Sequence, residues 1–145
     1  MSFHFSLATV LRIRGILEER EESMLQTILF EISHALEALA RIDAEIAASD
    51  ALRRRNVFKP FTGHHLHASY GELKELMQSK KELEAQIEKL EELRDRQLMV
   101  YEEARRNREM LTDMREEKRS VYEIDIARRE QKTLDDIYIA RRGCS

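Results

Sequence analysis

The amino-acid sequence predicts an all-α protein, a two-helix antiparallel coiled-coil hairpin with a longer second helix. Charged residues make up 37% of the 145 residues and aromatic residues 6%, with no tryptophan, which suits a long amphipathic helix better than a thick globular core. Residues 16–56 and 72–142 contain no Pro or Gly and are rich in helix-forming residues. Both stretches repeat apolar residues at steps of three and four, as coiled-coil seams do. We therefore expect a single domain over residues 1–145.

The first helix is expected at about residues 6–55. Its seam alternates steps of four and three through Ile28, Ile32, Ala35, Leu39, Ile42 and Ile46. Three further leucines are expected to widen this apolar face: Leu25, Leu29 and Leu36. Upstream, a looser stripe continues through Leu7, Val10, Leu17 and Met24.

The second helix is expected at about residues 70–141, because Ser69 and Glu72 fit a capping box that would start it there. Its apolar seam has a 3.5-residue period and consists of Leu73, Leu76, Leu83, Ile87, Leu90, Tyr101, Ala104 and Leu111. Long polar side chains fill the remaining seam positions: Lys80, Arg94, Gln97 and Arg108. We expect Leu93 and Leu98 to share the contact.

A loop at about residues 56–69 is predicted to join the helices. It contains Pro60, which cannot continue a helix, and Gly63, which permits a turn. Three histidines, His64, His65 and His67, raise the question of a metal site. Two of them are adjacent and therefore do not share a helical face, and the loop offers no cysteine or acid to complete a ligand set. We expect a solvated loop and no metal.

An antiparallel pairing that starts at the loop matches about Arg55 with Tyr70 and Leu7 with Lys118. Residues after Lys118 then lack a partner within the chain. This stretch is rich in apolar side chains: Val121, Tyr122, Ile124, Ile126, Leu134, Ile137, Tyr138 and Ile139. Because exposed apolar groups mark contact surfaces, the unpaired stretch is predicted to bind a partner.

Several functional classes are disfavoured by the sequence. It has no Gly-rich phosphate loop, no His-Glu-x-x-His pattern and no Ser or Cys beside a plausible base, so we expect no enzyme, cofactor or small-molecule substrate. A net charge of −3 does not suggest nucleic-acid binding. The apolar runs are too short for a membrane span, no signal peptide is evident, and a lone cysteine, Cys144, suits a reducing cytoplasm.

Two end segments resemble the FliJ family of flagellar type III export proteins. The first is "FHFSLATVLRIRGILEE", in which the family pattern falls on Phe3, Phe5, Leu7, Val10, Leu11 and Arg14. The second is "ARREQKTLDDIYIAR", in which it falls on Glu130, Gln131, Lys132, Leu134, Asp135 and Asp136. Tyr70 also fits the family. The order of the two segments and the length of the chain extend the resemblance over essentially the whole sequence.

This resemblance implies a non-enzymatic stalk protein in the cytoplasm, peripherally associated with the inner membrane at the flagellar base. Its terminal end would insert into the ring of the hexameric flagellar export ATPase. An export gate membrane protein and export chaperones would be further partners. The residues expected to contact the ATPase are the family positions and neighbouring apolar groups: Phe3, Phe5, Leu7, Val10, Leu11, Arg14, Val121, Ile124, Glu130, Gln131, Lys132, Leu134, Asp135 and Ile137.

Two alternatives remain open at the level of sequence. The equivalent stalk of a virulence-type type III secretion system has the same architecture. A generic coiled-coil adaptor or homodimer, in which the unpaired stretch pairs with itself, belongs to a different class of protein.

Overall fold

The computed structural model describes residues 2–56 and 63–143, apart from the side chains of Asn56 and His64. Those residues form two helices, α1 (Ala8–Asn56) and the longer α2 (Gly63–Gly143), and they include no β-strand. The helices pack against each other in opposite directions as a hairpin. The predicted fold class is therefore confirmed.

The second helix begins earlier than the sequence predicted. It starts at Gly63 rather than near residue 70, so that Ser69 and Glu72 lie inside α2 and form no capping box at its start. His64, His65 and His67 also belong to the helix. Gly71 is tolerated within it, although an internal glycine costs about 1 kcal/mol relative to alanine. The remaining predicted loop residues, 57–62, lie outside the described part of the chain.

Contacts divide the chain into two compact units, which we call unit 1 (residues 1–20 and 101–145) and unit 2 (residues 21–100). Whether the chain behaves as one domain stays a prediction. In unit 2, the buried side chains of α1 are those of Leu25, Ile28, Ile32 and Ala35. The later seam residues, Leu39, Ile42 and Ile46, are half-buried. The expected widening is wrong for Leu29 and Leu36, which are exposed because they lie beyond the narrow contact that a second helix covers.

The α2 side of unit 2 follows the predicted 3.5-residue period without a break. Ile87 is buried, and all the other predicted seam positions within this unit are half-buried, including the polar ones. Leu93 and Leu98 are exposed, so the expectation that they share the contact is wrong. Position in the 3.5-residue period therefore determines burial here, since a charged residue at a seam position is more buried than a leucine next to the seam.

Two of the three polar seam positions in unit 2, Lys80 and Gln97, have partners across the helix pair, whereas Arg94 pairs with Asp95 on its own helix. Lys80 Nζ lies 2.8 Å from a carboxylate oxygen of Asp43, and hydrogen bonding to Asp43 raises the pKa of Lys80. The side-chain amide of Gln97 donates to the Glu21 carboxylate at 2.6 Å and to the Glu21 carbonyl at 3.1 Å. These bonds fix the relative positions of the helices more specifically than apolar contacts do, because each needs one partner at one distance.

Unit 2 also contains the end of the hairpin near the predicted loop. There the Arg53 guanidinium lies 5.0 Å from the centre of the Tyr70 ring, a cation–π contact. The residue numbers of Arg53 and Tyr70 and those of Asp43 and Lys80 both add to 123. Tyr70 therefore lies opposite Arg53, two residues from the predicted Arg55.

Candidate partner-binding surface

Unit 1 begins with a short segment that is packed onto α2. The Ala8 N–H donates to the Phe5 carbonyl at 3.1 Å and the Leu11 N–H to the Leu7 carbonyl at 2.9 Å, which closes the first turn of α1. Phe5 is buried, and the ammonium of Lys118 lies 5.8 Å from its ring centre. Aromatic packing thus anchors the start of α1.

The pairing of the two helices extends further along α2 than the sequence indicated. Phe3 contacts Tyr122, with ring centroids 5.5 Å apart in a tilted arrangement. The prediction that everything after Lys118 lacks a partner is therefore wrong for Tyr122. The reason is that the predicted pairing stopped at Leu7, whereas the residues before it, which include Phe3 and Phe5, also pack on α2.

The α1 seam in unit 1 is more polar than predicted. Val10 and Leu17 are exposed, while Gly15 and Glu18 are half-buried. Glu18 accepts two hydrogen bonds from the guanidinium of Arg108, whose position on α2 was correctly predicted to lie in the seam. The hydrogen bond from Arg108 lowers the pKa of Glu18 against the opposing effect of burial, and the same bond raises the pKa of Arg108.

Beyond Tyr122, α2 carries apolar side chains that α1 does not cover. Ile126 is half-buried, and every described residue from 127 to 143 is exposed. We call residues 127–143 the C-terminal segment. Its large exposed apolar side chains are Leu134, Ile137, Tyr138 and Ile139. Local bonds support its helix, since Gln131 donates to the Asp135 carboxylate at 3.1 Å and the Thr133 hydroxyl to the Arg129 carbonyl at 2.9 Å.

The structure divides the predicted partner-binding residues into two groups. Four are part of the helix pair and pack within unit 1: Phe3, Phe5, Leu7 and Leu11. The other ten are exposed: Val10, Arg14, Val121, Ile124, Glu130, Gln131, Lys132, Leu134, Asp135 and Ile137. Only the second group has surface to offer a partner, and its contact with one stays a prediction.

Sequence reasoning missed three exposed apolar residues of unit 1. Ile13, Ile16 and Met110 are 50%, 58% and 60% exposed. Each lies away from the seam of its helix, so the seam pattern alone passes over them. The signal that could have identified them is a large apolar residue at a helical position that lies outside the seam and is therefore exposed to water.

Neither a metal-binding cluster nor a membrane-spanning helix is present in residues 2–56 and 63–143. No three His, Cys, Asp or Glu side chains among them lie close enough together to hold a metal ion. No described helix is both long and apolar enough to cross a membrane.

Comparison with known proteins adds no relative to this description. The chain matches no protein-family model, and neither curated proteins nor solved structures contain a match to it.

Proposed function

We propose that this protein is a non-enzymatic coiled-coil component of the flagellar type III export apparatus, which inserts as a stalk into the ring of the export ATPase. The observation that carries the proposal is the C-terminal segment, a helix whose apolar side chains are all exposed. The resemblance of both chain ends to the FliJ family supplies the identity of the partner. In this account the protein links the ATPase to the export gate and to export chaperones, in the cytoplasm at the inner face of the flagellar base.

The physical argument concerns the cost of leaving these groups in water. An isolated helix the length of the C-terminal segment is marginal in water, and apolar side chains on its surface favour burial by a partner. Burying one large aliphatic side chain fully is worth roughly 1.5–3 kcal/mol. Leu134 and Ile137 are 61% and 46% exposed, so a surrounding protein would gain most of that amount from Leu134 and about half from Ile137.

Charged residues are interspersed among the apolar ones in this segment. Lys132 and Asp135 are both exposed, and both belong to the family pattern. Their contribution to binding would be electrostatic and therefore weakened by salt, because exposed charges are screened over about 10 Å at 0.1 M ionic strength. A contact made by the C-terminal segment should consequently combine apolar burial with a salt-dependent component.

The test is a truncation after Ile126, which keeps Phe3 packed on Tyr122. The truncated chain should no longer bind purified export ATPase and should no longer stimulate its ATP hydrolysis, whereas the full-length chain should do both. Thermal unfolding should change little, because no described residue after Ile126 is buried.

A matched pair of charge reversals completes the test. Lys132→Glu should weaken binding to the ATPase, with a smaller effect in high salt. Lys74→Glu, at an exposed position in unit 2, should not. Full binding by the truncated chain would contradict the proposal, and a large drop in its melting temperature would assign the C-terminal segment to a folded core.

A further inference from the structure

One flank of the helix pair in unit 1 is mainly apolar, although it also carries the exposed Arg14, which directly precedes the half-buried Gly15. We define the apolar flank as Val10, Ile13 and Leu17 of α1 together with Met110, Met114 and Val121 of α2. Met114 is half-buried, and the other five side chains are exposed. None of the six occupies a seam position, and apart from Met114 they leave much of their surface uncovered by the contact between α1 and α2.

These residues share one side of the pair because of how the seam runs. Val10 and Leu17 directly precede the seam residues Leu11 and Glu18. Met114 and Val121 directly precede Arg115 and Tyr122, which are half-buried at the same 3.5-residue spacing. In an antiparallel pair, positions that precede the seam border the same side on both helices. Ile13 and Met110 lie three and four residues from Val10 and Met114, one step further out on that side.

The opposite flank has a different chemistry. Its α2 positions carry ion pairs one helical turn apart, with Arg105 at 2.9 Å from Glu109 and Arg119 at 3.5 Å from Glu123. Arg12 lies on the same side of α1. Apart from Ile16, which follows the half-buried Gly15, this flank is therefore suited to water, whereas the apolar flank is suited to a protein surface.

We propose that a second copy of this chain packs on the apolar flank, flank against flank, so that the four helices form a bundle about a two-fold axis parallel to them. Cyclic two-fold dimers are the commonest oligomers, and bundles with antiparallel neighbouring helices are a stable way to bury such faces. In this arrangement α1 of each copy lies on α2 of the other.

The numbering of unit 1 shows which residues would then meet. Phe3 pairs with Tyr122 and Glu18 with Arg108, so the two numbers at one level add to about 125. A two-fold axis parallel to the helices preserves these levels. Ile13 would therefore face Met110 of the second copy, and symmetry repeats the contact.

Charge complementarity favours a second copy over an unrelated partner. Arg20, an exposed base, lies seven residues after Ile13. Glu103, an exposed acid, lies seven residues before Met110. Arg20 and Glu103 are at the same level and on the same flank. The dimer therefore places Arg20 of each copy beside Glu103 of the other. Their attraction adds to the apolar contact twice.

Mass measurement by sedimentation velocity over a range from about 5 to 500 µM full-length chain tests the proposal. We expect a concentration-dependent species of twice 17.2 kDa. Ile13→Glu should raise the dissociation constant at least about tenfold, because it buries a charge against Met110. Arg12→Glu, the neighbouring change on the charged flank, should leave the constant within about twofold. Helix content measured by circular dichroism should match the unmodified chain for both variants.

A charge swap gives the decisive result. Arg20→Glu and Glu103→Arg should each weaken the dimer, and the double variant should restore it. A monomer throughout the range, or a swap that fails to restore association, overturns the proposal.

Truncation after Ile126 should leave the dimer intact. Loss of the dimer on truncation would instead assign self-association to the C-terminal segment. The apolar flank shares Val10 and Val121 with the residues expected to contact the ATPase, but the C-terminal segment is a different surface. Failure here therefore leaves the ATPase contact made by the C-terminal segment to be judged separately.

Discussion

Replacing Ile32 with alanine tests whether the seam holds unit 2 together. Ile32 is 7% exposed, and the change removes three carbon atoms from its side chain. At about 0.8 kcal/mol per buried CH₂, the loss is about 2 kcal/mol. We expect little further cost from a cavity, because two helices joined along one seam can move together to fill the space.

Phe30→Ala is the matched control, since Phe30 lies on the same helix two residues away and is 73% exposed. Its removal should change stability by less than about 0.5 kcal/mol. The assay is urea unfolding followed by circular dichroism at the helix band, with both variants compared in midpoint and slope. Equal losses from the two variants, or a larger one from Phe30→Ala, would refute the reasoning that seam position determines stability.

Three further predictions concern single features of the chain. Glu18→Gln should lower stability by about 1 kcal/mol at neutral pH, whereas Glu19→Gln, an exposed neighbour, should not. The pKa of Glu18 is lowered in the folded chain from its ordinary value of 4.5. The stability advantage of the unmodified chain over Glu18→Gln should therefore be lost as the pH falls through the folded pKa. A difference in unfolding free energy that stays constant down to strongly acidic pH would exclude this linkage. Gly15→Ala should raise the unfolding free energy by about 0.5–1 kcal/mol in urea titrations, since nothing lies within 4 Å of the added Cβ and the backbone is helical; a lower value would show a hidden clash. Changing His64, His65 and His67 together to Ser should leave the melting temperature unchanged with or without zinc, because His and Ser have similar helix propensities. If zinc raised the melting temperature of the unmodified chain but not that of the triple variant, the three histidines would form a metal site.

The helices and the α2 seam could be predicted because both depend on local pattern. The 3.5-residue period correctly placed Lys80, Gln97 and Arg108 in the seam without knowledge of their partners. Those partners could not be predicted, since Asp43, Glu21 and Glu18 are set by the register of the other helix. The start of α2 failed for a related reason. Ser69 and Glu72 match a capping box, but a local motif does not start a helix at its own position when the residues before it are helical as well.

The candidate surface was predicted only in part. Exposed apolar groups after Tyr122 followed from counting residues outward from the loop. The apolar flank did not follow, because residues such as Ile13 and Met110 become informative only when the two helices are placed side by side. Phe3 and Phe5 matched a family pattern, yet the structure uses them for packing within unit 1, which a motif alone does not distinguish from a contact with a partner.

The central claim is that the C-terminal segment binds the export ATPase through its own apolar groups. The most direct test is the affinity of Leu134→Asp and Phe30→Asp for the purified hexameric ATPase, measured by calorimetry. Both side chains are exposed and apolar, but only Leu134 lies in the C-terminal segment. We expect at least about a tenfold loss of affinity for Leu134→Asp, corresponding to about 1.4 kcal/mol, and none for Phe30→Asp. Unchanged affinity for Leu134→Asp, or an equal loss for both variants, would contradict the account.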